Sequence, residues 1–158
     1  MDLTTVNALF QIAVIVELDG VDFIARFTEE ELAESYNGIG PEFLPPTMRE
    51  KVTEHLSLFA PAALIHDLRN EYSDGTRCSF NYANYEFLAN CRKLAAQKYA
   101  WYNPRRYIAY SVAKLLYKFV CSDGGWTAWI QAKERHEKKI FGNSTGKTQT
   151  TNNDKEQK

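Results

Sequence analysis

Between Ser79 and Tyr99 the residues Phe80, Ala83, Phe87, Cys91, Leu94 and Ala95 recur at three- and four-residue steps. Apolar positions with that period line up as one stripe along an α-helix, because a turn takes 3.6 residues. Ser79 is the expected N-cap. A helix of this length cannot leave the stripe in water, so the rest of the chain has to supply apolar faces that cover it.

The flanking punctuation is helical as well. Thr28 followed by Glu29, Glu30 and Glu31 predicts a helix start in which Thr28 caps, Glu31 completes a capping box and the carboxylates meet the positive end of the dipole. That helix is expected to end near Tyr36, ahead of the turn signal Asn37-Gly-Ile-Gly-Pro41. Pro45-Pro46 precede a helix through Met48 to Leu58, and Pro61 suits the first turn of a new helix running to about Tyr72. Asn103-Pro104 opens a helix from Arg105 to Cys121 with an expected core stripe of Ile108, Val112, Leu115, Leu116 and Phe119. Asp123-Gly-Gly125 is expected to break it before a last helix, Trp126 to Phe141.

The N-terminal segment admits two readings. Residues 11–18 and 21–27 flank Asp19-Gly20 and fit a β-hairpin, whereas Ala8, Leu9, Ile12, Ala13 and Val16 keep helical spacing over 4–16. The expected fold is mainly α: a single helical domain over 1–141, with a small N-terminal β-hairpin as the open alternative, followed by a disordered polar tail over 142–158.

Several function classes drop out on composition. The apolar run Val6–Val16 lacks a basic leader and a small-residue cleavage site, and it is too short to span a bilayer, so a cytoplasmic protein with no membrane span is expected. Cys78, Cys91 and Cys121 are widely spaced, which fits buried reduced thiols rather than a disulfide framework or a zinc site. No P-loop, dinucleotide fingerprint or Gly-x-Ser-x-Gly is present.

Charge is near balance overall, at −1, but residues 1–86 carry −10 and residues 87–122 carry +7 with no acidic side chain. The expectation is that the two parts pack together and neutralise each other. Tyr99-Ala-Trp-Tyr-Asn-Pro-Arg-Arg-Tyr107, with Tyr110, Lys114 and Lys118, has the composition of a base-stacking surface. Its cations are expected on the solvated face of a core helix, and a pI near 6.3 disfavours nucleic acid as a partner. A protein partner stays open.

One pair of groups able to do chemistry adjoins inside a helical segment: His66-Asp67, in Phe59-Ala-Pro-Ala-Ala-Leu-Ile-His66-Asp67. Histidine supplies a base near neutral pH, and aspartate supplies a hard oxygen ligand or an orienting carboxylate. At about 100° per residue, Leu64, Ile65, Leu68 and Tyr72 share the core face, while His66 and Asp67 fall on the other side with Ala62 and Ala63. Small alanines there would let another helix approach and enclose the pair in a cleft. His55 and His66 would share a face only on a continuous helix, and Pro61 is expected to interrupt it.

The pieces Val21-Asp22-Phe23, Ala60-Pro61-Ala62 through His66-Asp67, and Ala83-Asn84-Tyr85-Glu86-Phe87 carry a resemblance. Over roughly residues 20–95 the chain resembles a phage- and prophage-associated domain family patterned TDF, APA-x-x-HD-x-x-Y and AD-x-x-F, for which no activity is assigned. The His-Asp helix facing a later helix is also similar to the active site of secreted phospholipases A2. That similarity implies His66 as the general base, Asp67 as a Ca²⁺ ligand and Asn84 at the position that orients the base. Asp22 and Asp74 are the further acidic metal-ligand candidates, and the carbonyls of Asn37–Gly40 are others. Asn84 stands where those enzymes carry a carboxylate, and Asn70 stands where the motif has Tyr. The sequence therefore points first to a small accessory protein of phage or mobile-element type with a binding or structural role. A divalent-metal-dependent ester hydrolase is the alternative.

Overall fold

The computed structural model describes residues 2–36 and 46–145, with side chains over 2–36 and 56–138. Seven helices follow one another among these residues: α1 (Leu3–Ile15), α2 (Val21–Ile24), α3 (Glu29–Ser35), α4 (Pro46–Glu71), α5 (Arg77–Lys98), α6 (Pro104–Val120) and α7 (Asp123–Thr145). No strand occurs among the described residues. The turn Asn37–Pro41 and the polar tail beyond Thr145 lie outside them, and α7 carries the helix past the expected end at Phe141.

The stripe on α5 behaves as its spacing predicts: Phe80, Ala83, Phe87, Cys91, Leu94 and Ala95 are all buried. Its partner is α4, the centre of the molecule, which also meets α1, α2, α3, α7 and the edge of α6. α6 lies on the other flank of α5. A second, smaller apolar cluster joins Phe80 and Ala83 to Trp129, with Trp126 and Ile130 packed on it.

At the N-terminus the helical alternative holds and the hairpin does not form. Val6, Leu9 and Ala13 are buried on one face of α1, whose first turn is capped by the Asp2 carboxylate accepting from Thr5 N–H at 2.9 Å. Asp19-Gly20 is still a turn, but it joins two helices. Gly20 has φ 88°, and a Cβ there would come within 2.8 Å of Ile65 and 2.9 Å of the Glu86 carboxylate. The capping box at Thr28 and Glu31 is present, and α3 ends at Tyr36.

Pro61 does not end a helix; α4 runs through it. A proline inside a helix costs about 3 kcal/mol. Phe59, Leu64, Ile65 and Leu68 are buried on the same helix, and each contributes about 2 kcal/mol, so burial outweighs the break. His55 and His66 therefore lie on one helix, about 16 Å apart along its axis, too far to share an ion; the His55 side chain is outside the described residues.

The cap of α5 lies three residues before Ser79. Thr76 is the N-cap and accepts from Ser79 N–H at 3.2 Å, while the Asp74 carboxylate accepts from Ser79 Oγ at 2.6 Å and Thr76 N–H at 2.8 Å. Those bonds, from Ser79 first and Thr76 second, hold the Asp74 carboxyl below its ordinary value. This contribution to stability is complete above the ordinary Asp range and is lost as pH falls through the lowered value. Thr76→Ala removes the cap and is expected to lower stability by about 1 kcal/mol in urea denaturation.

The expected break after α6 is present, and three further expectations are corrected. α6 ends at Val120 and α7 begins at Asp123, with Gly124 and Gly125 inside its first turn; a Cβ on Gly125 would lie 2.1 Å from the Val120 carbonyl, so the tight α6–α7 corner requires glycine there. On α6 the buried line is Ala109, Ala113 and Leu116, whereas Ile108 and Phe119 are exposed. Tyr72, expected in the core, is partly exposed and packs between the rings of Phe27 and His136, each at 4.7 Å. Of the three thiols only Cys91 is buried, and burial pushes it up; Cys78 is exposed.

Candidate functional site

His66 and Asp67 come off α4 beside the small residues Ala62 and Ala63, both buried. The two side chains are 14% and 16% exposed, so the pair sits at the edge of the packed interior. The His66 ring lies 5.1 Å from Phe87 of α5. Its Nε2 is 2.9 Å from Oδ1 of Asn84, which is fully buried on the same helix.

The Asn84 amide decides the tautomer. Its Nδ2 donates to the Val120 carbonyl at 3.3 Å, at the C-terminal end of α6, so Oδ1 faces His66. Oδ1 is an acceptor only, hence His66 Nε2 carries the hydrogen and the neutral ring presents its lone pair at Nδ1. That Nδ1 is 3.9 Å from Asp67 Oδ1. The separation is beyond a hydrogen bond, and the contact becomes attractive only when the ring is protonated.

A chain of three helices is thereby tied at one point, from α4 through His66 and Asn84 to the end of α6. Asp67 also acts on α3. Burial first, and the nearby Asp67 charge second, push the Tyr36 hydroxyl above its ordinary value. No spacing in the sequence singles out Tyr36 as a neighbour of the pair.

The metal candidates do not gather. Asp22 is exposed on α2, and among the described residues no group of three or more His, Cys, Asp or Glu side chains is placed to hold a metal ion. Ca²⁺ takes six to eight oxygens, which these residues do not assemble around Asp67. Asn37–Gly40 lie outside the described residues. Asn70, at the position of the motif's Tyr, has a buried Oδ1 with no hydrogen-bond partner.

A second polar constellation was not visible in the sequence. Arg69, one turn beyond His66, gives Nε–H and an Nη2 N–H to the two carboxylate oxygens of buried Glu86, both at 3.1 Å. Its guanidinium lies 4.0 Å over the Phe23 ring, and Tyr82 donates to the same carboxylate. Arg69, Phe23, Tyr72, Tyr82 and Trp129 line a shallow cavity of about 320 Å³.

No protein-family model, curated protein or solved structure matches this chain.

Proposed function

We propose that this chain is a small helical accessory protein of phage or mobile-element type, with a binding or structural role in which His66 holds helices together. The observation that supports it is the engagement of both ends of the Asn84 amide: fully buried, with Oδ1 used by His66 and Nδ2 by the Val120 carbonyl. A neutral amide in that position orients a ring well. It stabilises an imidazolium less than a carboxylate does, which a general base would need. We further propose a cytoplasmic setting, where an exposed free thiol such as Cys78 persists.

The test is a pair of variants and their double. His66→Ala leaves the Asn84 oxygen buried and unpaired and is expected to lower stability by about 2 kcal/mol in urea denaturation. His66→Ala with Asn84→Ala should lose less than the sum of the two single variants, because each already breaks the shared bond. A His66→Ala protein as stable as the parent would overturn the structural role.

One observation favours a second reading, ester hydrolysis with His66 as base. Its Nε2–H is pinned, and the free lone pair at Nδ1 faces the edge of the molecule beside Asp67. On that reading the chain hydrolyses phospholipid or aryl esters with Ca²⁺ present, and His66→Asn or Asp67→Asn abolishes turnover without unfolding the protein. Absence of turnover in the parent removes it.

A further inference from the structure

Two surface features remain without a role in the site. The first is on α1 and α3. α1 carries no charged side chain from Leu3 to Ile15, yet Leu3, Ile12, Val14 and Ile15 all face solvent, Ile15 at 73% exposure. A helix that is apolar on more than one face normally sits inside a structure or against a partner. Along its edge runs α3, with Glu29, Glu30, Glu31 and Glu34 exposed; the Asn7 amide donates to Glu29 at 2.9 Å and fixes the two helices side by side.

The second is the α5–α6 corner. Trp101 and Tyr102 project from it at 74% and 72% exposure, their rings in edge contact at 5.7 Å. The Tyr107 hydroxyl donates to the Trp101 carbonyl at 3.1 Å, so the corner lies against the first turns of α6, and Ile108 is exposed next to it. Lys98, Lys114 and Lys118 are exposed on the same two helices, in a stretch with no acidic residue from 87 to 122.

The sequence suggested that the oppositely charged parts would neutralise each other inside one molecule. Lys93 and Asp19 do so, at 2.7 Å. The glutamates of α3 and the lysines of α6 do not. α3 packs on α1 and α4, while α6 packs on α5, α7 and the edge of α4, and α3 and α6 share no extensive packing among the described residues.

From this we infer that the acidic, aliphatic α1–α3 surface of one copy docks on the basic, aromatic α5–α6 corner of another, so that the chain self-associates head to tail. Each face supplies what the other lacks. Carboxylates meet lysines, and aliphatic side chains meet Trp101, Tyr102 and Ile108, the large residues that dominate binding energy at interfaces. The two faces differ, so the contact is heterologous and each added copy leaves one face of each kind free. The inference rests on the accessory reading and names its partner as a second copy of this chain.

Two exposed-surface variants test it by sedimentation velocity. Ile15→Lys with Glu30→Lys disables one face; Trp101→Glu with Lys114→Glu disables the other. The parent should show concentration-dependent association that weakens with added salt, and Trp101→Ala alone should weaken it about thirtyfold. Each double variant alone should be a monomer with the parent's circular dichroism. Mixed in equal amounts they should form a pair and stop there, since each retains the face that the other lost. A monomeric parent, or a mixture that does not pair, overturns the inference. So does a parent that stays monomeric while a thymidine oligonucleotide or anionic vesicles bind at Trp101. These failures leave the His66 stability experiment untouched, so the accessory reading is judged separately.

Discussion

Arg69→Met is expected to lower the unfolding free energy by about 3 kcal/mol, one of the two largest losses among single substitutions outside the apolar core. Methionine keeps most of the apolar stem, but it removes the guanidinium that lies over Phe23 and the two N–H groups that hold Glu86 at 3.1 Å. Glu86 is 4% exposed and its remaining donor is the Tyr82 hydroxyl at 3.3 Å, so removing Arg69 strands a carboxylate away from water. The pair itself adds less than its loss removes, because both ions were desolvated to make it. Arg69→Met with Glu86→Leu should therefore recover most of the deficit. Urea denaturation of the three variants checks this. A single variant within about 1 kcal/mol of the parent would mean that solvent reaches the pair and screens it.

How far the sequence reveals this arrangement depends on what kind of signal each part leaves. The α5 stripe, the capping box at Thr28 and the end of α3 at Tyr36 are local, and spacing alone identifies them. Pro61 misleads because its cost is local while the burial of Phe59, Leu64, Ile65 and Leu68 that offsets it is tertiary. On α6 the large residues Ile108 and Phe119 suggest the core face, yet Ala109 and Ala113 occupy it. Small residues let α6 approach α5 closely, and hydrophobic pattern weighs size where packing distance decides. At the site, His66-Asp67 stands out in the sequence, and Asn84 is named through a resemblance; the structure adds that the two touch. Arg69 and Glu86, separated by seventeen positions and each flanked by unremarkable neighbours, leave no such trace.

Asn90→Ala is the second large effect, also about 3 kcal/mol, and it separates two contacts that hold the same loop. Asn90 is fully buried on α5, and its amide clips both backbone groups of Asp19: Oδ1 accepts the Asp19 N–H and Nδ2 donates to the Asp19 carbonyl, each at 2.8 Å. Lys93, one turn on, reaches the Glu17 carbonyl at 3.0 Å and the Asp19 carboxylate at 2.7 Å. By distance the two look equivalent. They differ in solvent access: Lys93 and Asp19 are about half exposed, and an ion pair of that kind contributes under about 1 kcal/mol. Truncating Asn90 leaves a donor and an acceptor of the backbone without partners beside the core, each costing about 1–3 kcal/mol. The loop it holds carries Glu17 at φ 53°, a left-handed conformation that in a non-glycine residue persists only where neighbours fix it. Thermal melts should show a large shift for Asn90→Ala and a small one for Lys93→Ala. Hydrogen exchange should show α1 amides of Asn90→Ala opening ahead of α5, since the clip is what anchors the α1–α2 turn to the rest of the molecule. Equal shifts for the two variants would place the anchor in the surface ion pair instead.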